Sequence, residues 1–231
     1  MIRRLVLWDI DGTLVDSAKL GRDAFIDAFE RVTGAPPAQL VPFAGRTDLE
    51  IALDLLARAG IGAADGLLEG FGAELHRAME DRRADLRARG RAYPGARESL
   101  ARLGREPGVV QSLLTGNIAP NAAVKLGAFG LDRLLDLEIG AYGSDDRDRG
   151  RLVAVALEKC ARKHSVTLAP ADAVLVGDTP LDVAAARAGG ARCVGVATGP
   201  YGRADLAAAG ADVVLGDLRD TDAVLDAVLG R

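Results

Sequence analysis

The chain has 231 residues, of which 49% are hydrophobic and 27% are charged, a composition typical of a folded globular protein and not of a disordered one. Its formal net charge is −4, so no positive field is expected to attract a nucleic acid or an anionic membrane. The longest apolar runs have the length of strands, whereas a membrane-spanning helix needs about 20 apolar residues. We therefore expect a protein that binds neither nucleic acid nor membrane.

The first apolar run and the two cysteines indicate the compartment. Asp9 and Asp11 interrupt that run, so no signal-peptide core or cleavage site follows it. Cys160 lies in a helical pattern and Cys193 in a strand pattern. Two thiols without metal-type spacing are typical of buried residues in a reducing environment. These observations predict a cytoplasmic protein.

Short apolar runs that predict buried strands alternate with amphipathic segments that predict helices. Such alternation indicates βαβ units and an open, parallel α/β sheet. The predicted strands are Leu5–Trp8, Val109–Leu114, Ala173–Val176, Cys193–Ala197 and Val213–Leu215, with Leu137–Ile139 as a weaker candidate. The predicted helices are Gly95–Leu103, Ala119–Phe129, Leu152–Lys163, Leu181–Ala188, Arg203–Ala209 and Thr221–Leu229.

The stretch from about Ala18 to Arg91 departs from this alternation, because its apolar residues follow helical spacing without a convincing strand. The predicted helices in this stretch are Ala18–Val32, Leu49–Ala59 and Leu67–Arg89. The stretch begins just after the first strand and its loop, and the α/β pattern resumes after it. We therefore predict a helical domain at residues 18–91, inserted into an α/β domain formed by residues 1–17 and 92–231.

Polar residues follow three of the predicted strands. Asp9 and Asp11 come after the first, and Asp178 comes after Ala173–Val176. Ligands of open α/β sheets bind at the carboxyl ends of the strands. Two close carboxylates repel each other, so such a pair usually shares a cation or holds a proton. The pattern fits a magnesium-dependent enzyme, although Asp and Gly at a strand end also suit a plain turn, and Asp178 also suits a helix N-cap.

Thr115, Gly116 and Asn117 follow the strand at Val109–Leu114. A hydroxyl group and turn amides at a strand end can bind a phosphate, because glycine allows a close approach and the next helix presents its N-terminus. Ordinary turn chemistry explains the same three residues equally well when they are taken alone.

Three segments taken together indicate a protein family more specifically than any one of them does alone. Asp9-Ile10-Asp11-Gly12-Thr13-Leu14-Val15-Asp16-Ser17, Leu114-Thr115-Gly116-Asn117 and Gly177-Asp178-Thr179-Pro180-Leu181-Asp182 resemble, in this order, the motifs of the haloacid dehalogenase superfamily and, within it, of the phosphoglycolate-phosphatase-like hydrolases. The resemblance covers essentially the whole chain, including the helical insertion, which resembles that family's cap domain. It implies a Rossmann-like parallel-sheet core domain with an inserted helical cap domain.

The resemblance also implies roles for individual residues. Asp9 would be the nucleophile that forms an aspartyl-phosphate, and Asp11 would protonate the leaving oxygen and later deprotonate the attacking water. Mg²⁺ would be held by the Asp9 carboxylate, the Asp11 backbone carbonyl and Asp178. The phosphoryl group would be bound by Thr115 and the neighbouring groups of Gly116 and Asn117.

One element departs from the family pattern, which places a lysine near the start of the helix before the last motif. The chain has only four lysines: Lys19, Lys125, Lys159 and Lys163. Lys159 and Lys163 fall late in their helix, so we expect an arginine to replace the lysine, Arg149 first and Arg147 second, with Asp182 orienting its guanidinium. A solvated loop with Asp145, Asp146 and Asp148 remains the alternative for these arginines.

Substrate specificity is expected to reside in the insertion, where Phe43, Arg46, Thr47 and Asp48 form a candidate substrate-facing loop. Arg46 would meet a second anionic group of the substrate, unless it forms a surface ion pair or begins a helix. Asp11 disfavours dehalogenation, which needs no acid for a leaving oxygen, and the lack of a suitable cap lysine disfavours phosphonatase chemistry.

The sequence therefore predicts a Mg²⁺-dependent phosphatase for a small phosphorylated metabolite such as phosphoglycolate. A sugar phosphomutase similar to β-phosphoglucomutase is the alternative enzyme, because it shares Asp9 and Asp11. A catalytically silent binding protein of the same fold is the third possibility, since the usual lysine is missing. The oligomeric state, monomer or dimer, stays open.

Overall fold

The computed structural model describes residues 2–62 and 65–231. Met1 and residues 63–64, which fall within the predicted core and cap ranges, lie outside the described residues. The strands are β1 (Arg4–Trp8), β2 (Val15–Asp16), β3 (Arg91–Ala92), β4 (Val109–Thr115), β5 (Ala141–Tyr142), β6 (Ala173–Gly177), β7 (Arg192–Val196) and β8 (Val213–Leu215). The helices are α1 (Leu20–Thr33), α2 (Asp48–Arg58), α3 (Asp65–Asp81), α4 (Arg83–Arg89), α5 (Ala96–Leu103), α6 (Ala119–Ala128), α7 (Leu152–His164), α8 (Pro180–Ala188), α9 (Arg203–Ala209) and α10 (Thr221–Leu229).

Six strands form one parallel sheet in the order β5-β4-β1-β6-β7-β8. The central strand β1 pairs with β4 and β6, so that Leu5 lies beside Val110 on one side and Ala173 on the other. The remaining strands, β2 and β3, pair antiparallel with each other. The predicted α/β fold class with a parallel sheet is confirmed.

The alternation of β1 side chains creates the two faces of the sheet. Val6 and Trp8 point into an apolar cluster shared with α5, α6 and α10, whereas Leu5 and Leu7 point into a second cluster shared with α7 and α8. All four side chains are fully buried. The sheet is therefore covered by helices on both faces, which leaves the strand ends as the place for a ligand.

The weaker strand predicted at Leu137–Ile139 is wrong. These residues form a 3₁₀ turn, and the strand that pairs with β4 is the next segment, β5, with Ala141 opposite Leu114. The cause is local, because the Asp136 side chain accepts a hydrogen bond from the amide of Glu138 and so caps a turn that competes with extended backbone.

The segment between β2 and β3 consists of α1 to α4 and has its own apolar cluster, centred on Phe25, Phe29 and Phe71. α6 adds Ile118 and Val124 to this cluster. The single helix predicted at Leu67–Arg89 is divided into α3 and α4. Arg82 separates the two with non-helical backbone, and its guanidinium donates to the Ala78 carbonyl oxygen and pairs with Asp27 of α1.

No described helix combines the length and the apolar character that would let it traverse a lipid bilayer.

Candidate active site

Three neighbouring strands of the sheet, β4, β1 and β6, end at one cavity of about 410 Å³. Thr115 is the last residue of β4, Asp9 follows β1 and Asp178 follows β6, and all three line the cavity. Asp11 and Arg149 also line it. The structure thus brings the polar residues of the three sequence motifs to one place, because the carboxyl ends of parallel strands meet at the same edge.

Asp9 is buried and faces a buried cation. Nη2 of Arg149 lies 3.2 Å from Oδ1 of Asp9, and the same nitrogen donates to Oδ1 of Asp182. Burial raises the pKa of Asp9 to about 6; the positive charge of Arg149 opposes this rise, and the negative charges of Asp182 and Asp11 add to it. The arrangement keeps a carboxylate in a buried position, where an arginine balances part of its charge.

Arg149 reaches the site from a 3₁₀ turn, Arg149–Arg151, which begins where the Asp148 side chain accepts from the Gly150 amide. Nε of Arg149 is buried and has no hydrogen-bond partner among the described residues, so the guanidinium retains a donor. Arg147, the second candidate for the same position, is exposed, and its main-chain oxygen accepts from Thr47. Lys159 contacts Asp145 instead of the site.

Asp178 and Asp182 are both almost completely buried. Asp182 forms a capping box with Thr179, because its Oδ2 accepts from the amide and hydroxyl of Thr179 while its own amide donates back to that hydroxyl. Asp178 accepts from the Thr13 hydroxyl at 3.0 Å. Burial, together with the charges of Asp182 and Asp9, raises the pKa of Asp178 well above its ordinary value.

The acidic residues Asp9, Asp178 and Asp182 offer carboxylate oxygens within 4.8 Å of one another. Two glycines keep the space beside Asp178 open: a Cβ atom at Gly12 would lie 2.2 Å from Asp178 Oδ2, and one at Gly199 would lie 1.7 Å from it. Hard carboxylate oxygens at such a spacing suit a hard divalent cation, which would offset the burial and the mutual repulsion that raise the pKa values of Asp9 and Asp178. The residues present therefore fit a divalent cation.

Asp11 lies at the cavity with its side chain 39% exposed. Its Oδ1 accepts from Ser17 at 3.0 Å, and its Oδ2 accepts from Nδ2 of Asn117 at 2.9 Å and from Nζ of Lys125 at 2.5 Å. Partial burial alone would raise the pKa of Asp11, but the Lys125 charge and the hydrogen bonds outweigh that effect and lower it. Asn117 Nδ2 also donates to Oγ1 of Thr115 at 2.8 Å.

Lys125 is a cavity residue to which the sequence analysis assigned no role. It lies on α6 four residues after Asn121, and both side chains are buried beside apolar neighbours of the same helix. Two polar residues at this spacing on an otherwise apolar helix face are the signal that could have identified it. The spacing does not reveal which carboxylate the lysine meets.

Of the residues in the candidate specificity loop, Phe43, Arg46 and Asp48 line the cavity and Thr47 does not. Phe43 lines the cavity, with its ring edge-to-face on Phe25 at 5.2 Å. Arg46 also lines it, but its guanidinium pairs with Glu50 at 2.7 Å and Asp54 at 3.1 Å. Arg46 thus combines two features that were expected as alternatives: it lies at the cavity, and it forms an ion pair.

Thr47 is fully buried and does not belong to the described residues that line the cavity. It is the N-cap of α2, where its hydroxyl accepts from the Glu50 amide and donates to the Arg147 main-chain oxygen at 2.9 Å. This placement gives Thr47 a packing contact with the α/β part of the chain in place of the substrate-facing position that was expected.

Asp48 lies at the cavity and links α2 to the start of α6. Its Oδ2 accepts from the Ile118 amide at 2.9 Å, and its own amide donates to the Gly116 carbonyl oxygen at 2.8 Å. Burial raises the pKa of Asp48 to about 6, although the nearby Lys125 charge lowers it. Gly116 allows this approach, since a Cβ atom there would lie 2.0 Å from the Arg46 carbonyl oxygen.

Known proteins share this sequence pattern and this fold. The model of the haloacid dehalogenase-like hydrolases matches residues 6–187. Phosphoglycolate phosphatase 1 of Pseudomonas aeruginosa is 30% identical over 220 residues, which are 94% of this chain and 78% of that protein. Tyrosine-protein kinase PtkA of Mycobacterium tuberculosis is 33% identical over 207 residues, which are 88% of this chain and 65% of that protein.

Among solved structures, a hydrolase from Pseudomonas syringae superposes with a TM-score of 0.70 at 25% identity, covering 97% of this chain and 98% of that one. The matches confirm the resemblance that the three sequence motifs carry. The family match extends over the first strand, the helical insertion and the last motif at Asp178 and Asp182. This chain therefore belongs to the haloacid dehalogenase-like hydrolase family.

Proposed function

We propose that this hydrolase is a Mg²⁺-dependent phosphatase that cleaves a small phosphomonoester through an aspartyl-phosphate on Asp9. The observation that carries the proposal is the buried Asp9 carboxylate, held 3.2 Å from Arg149 and close to Asp178 at the floor of one cavity. A phosphatase among its relatives, phosphoglycolate phosphatase 1 of Pseudomonas aeruginosa, supports the same reaction class.

In the proposed first step, a carboxylate oxygen of Asp9 attacks phosphorus while the bond from phosphorus to the leaving oxygen breaks. Arg149 balances negative charge at the nucleophile and the phosphoryl group. Asp182 holds the guanidinium in place through the same nitrogen, Nη2. Asp11 supplies the proton that the leaving oxygen needs; because its pKa is lowered in the free protein, it takes up this proton when the anionic phosphoryl group enters the cavity beside it.

In the second step, Asp11 takes a proton from water, and that water attacks phosphorus and releases Asp9 and inorganic phosphate. Throughout both steps, the Thr115 hydroxyl and the main-chain amides of Gly116 and Asn117 bind phosphoryl oxygens. The Asn117 side chain orients the Thr115 hydroxyl for this task, because its Nδ2 donates to Oγ1 and leaves the hydroxyl proton free for a phosphoryl oxygen.

Asp9, Asp178 and the main-chain carbonyl of Asp11 would hold Mg²⁺. When bound, the ion lowers the repulsion between an anionic nucleophile and an anionic phosphate. Without the ion, burial and the mutual repulsion of Asp9, Asp178 and Asp182 both raise the pKa values of Asp9 and Asp178. Asp182 is less suited as a ligand, because both of its oxygens already accept hydrogen bonds.

We further propose that residues 18–91 act as a cap over the site. Their separate apolar cluster and their attachment through the short pair β2 and β3 support this role. Phe43 and Arg46 reach the cavity from this segment and would contact the leaving group. A volume of about 410 Å³ lies at the lower end of the range for ligand pockets, which favours a small metabolite such as phosphoglycolate.

The decisive experiment measures phosphate release from small phosphomonoesters, phosphoglycolate included, with and without Mg²⁺, for the wild type and Asp9→Asn. We expect Mg²⁺-dependent release that Asp9→Asn lowers by at least ~10³-fold, since the amide cannot attack phosphorus. Asp226→Asn, at an exposed carboxylate of α10 outside the cavity, is the matched control and should retain full activity.

Acid quenching during turnover should trap phosphate on the wild-type protein and not on Asp9→Asn. A folded wild type that releases no phosphate but isomerises a sugar phosphate would replace the phosphatase with the phosphomutase. A folded wild type that does neither, and still binds phosphate compounds, would favour the silent binding protein.

A further inference from the structure

Lys125 is a buried cation in the cavity that the proposed reaction does not use. Its side chain is 5% exposed, and its Nζ lies 2.5 Å from Oδ2 of Asp11 and 2.6 Å from Oδ1 of Asn117. Burial of a lysine side chain is costly unless the charge is paired. The packing leaves room for it, because a Cβ atom at Gly21 would lie 3.0 Å from Nζ.

The cavity contains two such cations, and they serve different carboxylates. Arg149 contacts Asp9, and Lys125 contacts Asp11. They also come from different elements, since Arg149 lies in the turn before α7 and Lys125 lies on α6. Lys125 is therefore a neighbour of the proposed proton donor and not of the proposed nucleophile.

Both oxygens of the Asp11 carboxylate are held. Ser17 donates to Oδ1, while Asn117 and Lys125 donate to Oδ2. Without these contacts the carboxylate would be free to rotate, because its side chain is 39% exposed at the cavity. Asn117 cannot hold it alone, because Lys125 also fixes the orientation of the Asn117 side chain through Oδ1.

We propose that Lys125 is a positioning residue that orients Asp11, directly and through Asn117, for proton transfer at the leaving oxygen. The inference rests on the proposed function, in which Asp11 supplies the proton. Correct placement of a general acid accounts for a large part of its effect, since a displacement of about 1 Å can cost ~10²-fold in rate.

The test compares two substrates of similar shape whose leaving groups differ in their need for a proton. The phenol released from phenyl phosphate has a pKa of about 10 and benefits from an acid, whereas 4-nitrophenolate is a much better leaving group. The value of kcat/KM covers the steps up to departure of the leaving group. The ratio of kcat/KM for phenyl phosphate to that for 4-nitrophenyl phosphate therefore measures acid catalysis.

For Lys125→Met we expect this ratio to fall at least ~10-fold relative to the wild type, because Asp11 remains present but is poorly oriented. Asp11→Asn is the reference variant and should lower the ratio further, by about 10²-fold. Lys159→Met is the matched control: that lysine contacts Asp145 and the Gly140 carbonyl oxygen outside the cavity, so the ratio should not change. A Lys125→Met variant that lowers both rates equally, or neither, would overturn the proposal.

Thermal unfolding checks that each variant is folded. Should Lys125→Met not fold, Lys125→Gln replaces it, because glutamine stays polar in the buried position but is one atom shorter than lysine and cannot contact Asp11 and Asn117 together; it should lower the ratio in the same direction, and an unchanged ratio would overturn the proposal. The reference variant Asp11→Asn distinguishes an error in the acid role of Asp11 from an error in the positioning role of Lys125. If Asp11→Asn leaves the ratio unchanged, the acid role of Asp11 is wrong and the role of Lys125 fails with it; if only the lysine variants leave it unchanged, the proposed function stands without this inference.

Discussion

Nη2 of Arg149 lies 3.2 Å from Oδ1 of Asp9 and also donates to Asp182, so a single guanidinium nitrogen joins the end of β1 to the first turn of α8. All three side chains are buried. A guanidinium is permanently charged and more weakly hydrated than an ammonium group, so it is less costly to bury between two carboxylates. The relationship places a cation beside Asp9 although no lysine lies at the start of α7.

Replacement of this cation should cause a large loss of activity. For Arg149→Met we expect kcat/KM for phosphate release to fall at least ~10²-fold, because the charge beside the nucleophile and the phosphoryl group is lost. The kcat/KM of Arg149→Lys should lie between those of the wild type and Arg149→Met, since an ammonium group keeps the charge but not the planar shape of the guanidinium. Arg147→Met is the matched control, because that side chain is exposed. Equal losses in Arg147→Met and Arg149→Met would contradict the assignment.

Asp178 should lower the free energy of unfolding of the metal-free protein and should be required for stabilisation by Mg²⁺. Asp178→Asn removes one of several buried carboxylates that repel each other, so the metal-free protein should gain roughly 1–3 kcal/mol in its free energy of unfolding at neutral pH. Wild-type protein should gain stability from Mg²⁺, and the variant should not. Denaturant unfolding with and without MgCl₂ measures both effects, with Asp226→Asn on the exposed face of α10 as control. An undiminished response of Asp178→Asn to Mg²⁺ would show that another residue binds the ion.

Asp48 should make stability depend on pH between about 4 and 6. Burial raises its pKa from 3.8 to about 6 in the folded protein. In that window the folded state therefore binds a proton that the unfolded state has lost, and the contribution of Asp48 to stability falls as pH rises. Above pH 6 the buried charge costs up to about 3 kcal/mol.

The variant Asp48→Asn removes this cost while keeping an acceptor for the Ile118 amide. The free energy of unfolding of the variant minus that of the wild type should therefore increase by roughly 1–3 kcal/mol as the pH rises from 4 to 7. Denaturant unfolding of both proteins without Mg²⁺, at several pH values, checks this expectation. A difference that is constant over pH, or that changes in the opposite direction, would contradict it.

Gly116 should be required for the contact between the loop before α2 and the end of β4. In Gly116→Ala the new Cβ atom would lie 2.0 Å from the Arg46 carbonyl oxygen, so the two loops must separate. We expect kcat/KM to fall at least ~10-fold, because the same loop binds phosphate in the proposed mechanism. Gly72→Ala is the control, since no atom lies within 4 Å of a Cβ atom there. Steady-state kinetics that do not distinguish the two variants would argue against this role of the contact.

Much of the fold follows from local patterns in the sequence. The four buried side chains of β1 alternate between the two faces of the sheet, and the polar residues at the ends of β1, β4 and β6 follow their apolar runs directly. Such patterns depend on the geometry of one strand, so they can be read without the tertiary structure. Leu137–Ile139 shows the limit, because a capping side chain two residues from Glu138 decided between turn and strand.

The candidate site depends more strongly on contacts between distant residues. Arg149 was singled out because its position in the chain resembles that of the family's lysine. Lys125 has no such position, and its ion pair with Asp11 joins residues 114 positions apart. Arg46 and Thr47 lie side by side, yet one reaches the cavity and the other caps α2 and contacts Arg147.

Periodicity and short motifs were sufficient to predict the α/β fold, the family and the group of carboxylates at the strand ends. They could not predict which cation faces which carboxylate, or which loop residues reach the cavity. The rotation of α6 and the docking of α2 against the Gly116 loop set those contacts. Neither leaves a local trace in the sequence, because each depends on packing between elements far apart in the chain.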